Sequence, residues 1–131
     1  MGEIMMLHLD ADWVVLSACD SGSGDGAGAE AISGLGLAFF YAGSRALLVS
    51  LWPVETTSAR HLTTGIFARQ QADPRLGRAR ALQTSILALM DSPGLVDPTT
   101  DKIAASYAHP LFWGPFILVG EGAADLGPVT Q

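Results

Sequence analysis

The chain has 131 residues, 49% hydrophobic and 15% charged, which suits one domain of common size and excludes a disordered chain. Net charge is −6, with seven Lys and Arg scattered among 13 Asp and Glu, a balance that argues against a nucleic-acid partner. No apolar run approaches the roughly 18–20 residues that span a bilayer, and the opening "MGEIMMLHLDAD" lacks the basic start of a secretory signal. One cysteine allows neither an intramolecular disulfide nor a cysteine-based metal cluster. The expected setting is reducing and cytoplasmic, with no membrane partner.

Residues 13–19, "WVVLSAC", are short, apolar and β-branched at the start, and read as a buried strand. A loop over 20–28 feeds "AEAISGLGLAFFYAG", a helix with Ile32, Leu35 and Phe39 at helical spacing and Gly43 at its C-terminal stop. Gly34 and Gly36 would let this helix lie close to a sheet. Residues 46–52, "ALLVSLW", form a second buried strand, closed by Pro53. Thr56 or Thr57 caps a helix that runs to about residue 70, with Leu62 and Ile66 facing inward. A further helix covers 77–90, with a core stripe of Leu82, Ile86 and Leu89. Residues 91–101 read as a loop, 101–107 as a short helical turn, and about 115–119 as a last strand. This order predicts an α/β layer fold with a parallel sheet and right-handed crossovers. Sites in such sheets gather at the carboxyl ends of the strands.

Cys19 ends the first strand beside a glycine-rich turn. A thiolate needs a nearby base and backbone N–H groups that hold an oxyanion, and such a turn offers the second. The alternative is an inert thiol packed as a small apolar residue. "GDGAGA" at 24–29 formally matches a phosphate loop, but its first glycine lies too far beyond the strand, and Asp20, Asp25 and Glu30 repel phosphate. No G-x-S-x-G elbow is present for serine chemistry. His8, His61 and His109 have no spacing that by itself makes a dyad with Cys19.

Three blocks in order, "DADWVVLSACDSGSGDG", "GAEAISGLGLAFFYAGSRALLVSLWPVE" and "HPLFWGPFILVGEG", strongly resemble the CHAT family. These are caspase-like domains related to separases and often joined to tetratricopeptide repeats. The resemblance covers about Ile4 to Glu121. It implies a three-layer caspase-like α/β fold with a mainly parallel sheet, over a partial domain at 1–122 with a tail at 123–131. It implies a cysteine endopeptidase, a hydrolase, with Cys19 as nucleophile in "LSAC". It also implies that Ser50, Leu51 and Trp52 of "SLWPV" line a cleft for an extended peptide or protein substrate. Asp20 and Glu55 are the candidate acids for a basic side chain of that substrate. No metal or organic cofactor is implied.

The chain departs from the family pattern at the base. The family histidine stands in a His-Gly motif at the end of an earlier strand, about 50 residues upstream of the cysteine in caspases. Only 18 residues precede Cys19, and no His-Gly pair occurs in the sequence. The N-terminal strands of the usual domain are therefore expected to be missing. The expected partners are a polypeptide that supplies those strands, a tetratricopeptide-type region, or a second copy of the chain. A non-catalytic interaction module is the alternative function.

Overall fold

The computed structural model describes residues 2–16 and 27–123, and the side chains of all of these except 27–33. The element order is α1 (Gly2–Met5), β1 (Val14–Leu16), α2 (Ala27–Tyr41), β2 (Ala46–Ser50), α3 (Thr56–Ala72), α4 (Arg78–Met90), β3 (Leu95–Asp97), β4 (Lys102–Ala105), a 3-10 turn (Pro110–Phe112) and β5 (Phe116–Gly120). The chain is mixed α/β and divides into two compact units. One comprises Met1–Pro53 with Phe116–Glu121, and the other comprises Val54–Pro115 with the segment from Gly122 onward.

The first unit is built on a three-stranded sheet of order β1-β2-β5. All five residues of β2 are buried, as the near-continuous apolar run "ALLVS" requires of a strand covered on both faces. β1 pairs with β2 in parallel, Val14 opposite Leu47 and Leu16 opposite Val49. β5 pairs antiparallel, with Ser50 opposite Phe116 and Ala46 opposite Gly120. The sheet is thus mixed, which corrects the expected mainly parallel one. The chain leaves β2 and re-enters β5 at the same end of the sheet, so no crossover is made and the strand direction reverses.

β1 is an edge strand among the described residues, not a fully buried one. Its middle residue, Val15, is exposed. A three-residue apolar run looks the same at the edge and at the centre of a sheet. α2 lies against β2, and a Cβ at Gly36 would stand 3.1 Å from Leu47 Cδ1. The helix ends in a paired cap: Gly43 N–H donates to Phe40 O and Ser44 N–H to Phe39 O. Gly43 has φ +101°, the left-handed conformation that this cap demands.

In the second unit, α3 and α4 form a helical hairpin. Leu62 and Ile66 of α3 are fully buried, as the spacing predicts. On α4 the buried stripe is Arg78, Ala81, Leu82, Ser85 and Leu89, with Ile86 only half-buried. The stretch 95–105 corrects the expected loop and helical turn, since β3 and β4 pair there as an antiparallel hairpin. Asp97 Oδ1 accepts from Thr99 N–H at 2.8 Å and from Thr99 Oγ1 at 2.6 Å. Asp101 adopts φ 54° to finish the turn. Local side-chain bonds of this kind draw Asp and Thr into turns rather than helices. Tyr107 and Phe112 are buried and meet edge to face, with ring centroids 5.0 Å apart.

Candidate functional site

The parallel register fixes where the sequence motifs leave the sheet. Leu16 faces Val49, so the chain beyond β1 and the chain beyond β2 depart from the same, carboxyl end. Cys19 and Asp20 lie outside the described residues. Three peptide units separate Leu16 from Cys19, at most about 11 Å of chain.

Ser50 is the last residue of β2. It is buried and pairs with Phe116. Leu51 and Trp52 follow as exposed side chains, 49% and 40% accessible. Their backbone groups make no hydrogen bond among the described residues. Pro53 has no N–H and ends any continuation of the ladder. The stretch is a short bend with an apolar surface and with backbone donors and acceptors unused among the described residues. Unused backbone groups of this kind can pair with an added peptide.

Glu55 is placed differently. It is the N-cap of α3: Oε1 accepts from Thr57 N–H at 2.7 Å and Oε2 from Ser58 N–H at 2.8 Å. The Ser58 hydroxyl returns a bond to Glu55 O at 2.9 Å. The cap is thus Glu55 rather than Thr56 or Thr57, because the longer carboxylate spans two orphan N–H groups at once. Burial alone would raise the Glu55 pKa, but the bonds from Thr57 and Ser58 outweigh it and hold the carboxyl below its ordinary value. Its charge acts, after burial, to push the Tyr107 phenol upward. Both carboxylate oxygens are committed to the helix start.

His8 and His61 are exposed. His109 caps the 3-10 turn, with Nδ1 accepting the Leu111 N–H at 3.1 Å. No group of His, Cys, Asp and Glu that could hold a metal occurs among the described residues. No helix among them is long and apolar enough to cross a membrane. One polar cluster carries no linear signature: Arg69 of α3 donates to Ser85 of α4 at 3.3 Å. Only Gly65, a glycine inside a helix, marks it in the sequence.

Compared with known families, residues 1–121 match the model of the CHAT domain. The chain belongs to the CHAT family. Nearly the whole chain lies within the CHAT match, so both strand ends described above fall inside it, as does the α3–α4 hairpin. No curated protein and no solved structure matches this CHAT chain.

Proposed function

We propose that this chain carries the nucleophile-bearing part of a caspase-like cysteine endopeptidase domain. One observation carries the reading. The two CHAT segments "LSAC" and "SLWPV" follow parallel strands whose ends are in register, Leu16 against Val49. A cysteine three residues past one strand then acts beside a peptide laid along Leu51 and Trp52. Deprotonated Cys19 attacks the peptide carbonyl and forms a C–S bond. The C–N bond breaks, the amine leaves with the proton taken from the thiol, and water hydrolyses the thioester. Backbone N–H groups at the glycine-rich turn stabilise the oxyanion. The base that accepts the thiol proton is a histidine from outside these 131 residues. β1 is paired on one side only among the described residues, which supports an added strand there from the polypeptide that brings the histidine, or from a second copy. The proposed setting is cytoplasmic, with a tetratricopeptide-type region as a further partner.

A second reading, a non-catalytic module that binds extended peptides through the same segment, is favoured by the absence of a His-Gly pair in the chain. One experiment separates the two. The chain is assayed on peptides with Arg or Lys before the scissile bond, first alone and then with a His-Gly-bearing strand segment joined ahead of Met1, each against Cys19→Ala. The peptidase reading expects negligible turnover alone and Cys19-dependent turnover in the joined chain. Peptide binding without turnover in both would leave the binding module. Robust Cys19-dependent turnover by the chain alone would overturn the external base.

A further inference from the structure

The groove between α3 and α4 has a volume of about 350 Å³. His61, Thr64, Arg69, Ser85 and Ser92 supply its polar lining, and Leu89 with small neighbours supplies an apolar floor. Among the described residues no Asp or Glu lines it, although the chain has 13 acids against seven Lys and Arg. Arg69 is a helix C-terminal cation, which the helix dipole favours by itself. Its guanidinium does more than sit there. Nη1 turns back to donate to Gly65 O at 3.0 Å and to Ser85 Oγ at 3.3 Å. Nε and Nη2 take no acceptor among the described residues, and Arg69 has no carboxylate partner there.

Ser85 is 3% exposed and its Oγ accepts from Arg69, which leaves its hydroxyl hydrogen to donate. The Thr64 and Ser92 hydroxyls already donate to Arg60 O and Leu89 O. Gly65 makes the arrangement possible. A Cβ there would stand 2.9 Å from Arg69 Nη1 and 3.3 Å from Ser85 Oγ. Glycine is a poor residue for a helix interior, and here its missing side chain is the space that the guanidinium occupies.

We propose that this groove binds a small oxyanion attached to an apolar group, a carboxylate or a phosphate monoester. Arg69 is its principal donor and Ser85 its second. A guanidinium anchored through one nitrogen presents the others as a preorganised fork, the geometry that carboxylates and phosphates accept. The site lies wholly within the second unit and is independent of the peptidase reading.

The test is an amide NMR titration of the chain, read at Gly65 and Ser85, with phenyl phosphate, benzoate and the neutral benzyl alcohol. Saturable shifts in the millimolar range are expected for at least one anion and none for benzyl alcohol. The tighter anion assigns the ligand as phosphate or carboxylate. Binding is expected to weaken as salt rises. Arg69→Gln should weaken it by about tenfold or more, whereas Arg80→Gln, on α4 outside the groove, should leave it unchanged. Where Arg69→Gln loses the native amide pattern, Gly65→Ala, which displaces the guanidinium, takes its place with the same expected weakening. Unsaturable shifts, equal shifts with benzyl alcohol, or wild-type binding by the variant that keeps its fold would overturn the proposal.

Discussion

Gly43 closes α2 directly against the carbonyl oxygen of Leu9. Leu9 N–H donates to Ala42 O at 2.6 Å, and a Cβ on Gly43 would run into the Leu9 carbonyl. Neither partner is the movable end of a side chain, and φ at Gly43 is +101°. Gly43→Ala is therefore expected to destabilise the first unit by about 1–3 kcal/mol, measured by denaturant unfolding. Gly36→Ala meets only the tip of Leu47 and should cost less.

The Glu55 cap makes stability depend on acid. Its folded pKa lies below the ordinary value of 4.5, so the folded state binds fewer protons than the unfolded state as pH falls. The contribution is complete above about pH 4.5 and is lost as pH drops from there through the lower folded value. Glu55→Ala is expected to cost about 1 kcal/mol at neutral pH and to flatten the acid limb of the stability profile. A pH series of thermal unfolding curves for the two proteins checks both effects.

Leu62 and Ile66 are both at 0% exposure in the second unit. Leu62→Ala removes buried methyl groups where the surroundings relax only partly, and about 2–5 kcal/mol of destabilisation is expected. Leu87, on the exposed face of α4, should tolerate the same change within about 0.5 kcal/mol.

Trp52 separates stability from peptide engagement. Its side chain is 40% exposed, so Trp52→Ala should cost little stability, while capture of an extended peptide, measured by fluorescence anisotropy, should fall by about tenfold. Leu51→Pro removes one backbone donor from the same segment and is expected to reduce capture in the same direction. Capture unchanged in both variants would place the peptide elsewhere.

The legible parts of the chain were those with one dominant signal. Gly43 stands at a helix end, and Leu62 and Ile66 share a helix face; each behaves as its pattern predicts. β2 is buried as its apolar run predicts but ends at Ser50, leaving Leu51 and Trp52 of the expected 46–52 strand exposed in a bend. The β3–β4 hairpin was hidden because its strands have three and four residues, and because the turn is written in Asp97 and Asp101 rather than in an Asn-Gly pair. The direction of β5 was hidden too, since an apolar pentapeptide reads identically both ways. At the candidate site, Ser50, Leu51 and Trp52 were found through family resemblance, and Cys19 and Asp20 lie outside the described residues. Glu55 is a candidate acid for substrate by resemblance, and the structure shows it as the cap at a helix start. Arg69 and Ser85 meet from different helices, a pairing that no linear pattern announces.

Ser50 faces Phe116 across an antiparallel pair, so the points where the chain leaves and re-enters the first unit are neighbours. In the sequence, residues 54–115 are inserted between the two strands of that pair. A turn of two to five residues, roughly the usual hairpin length, would suffice to close β2 onto β5 in their place. The intervening segment can thus lengthen, shorten or be exchanged without disturbing the register of β1, β2 and β5.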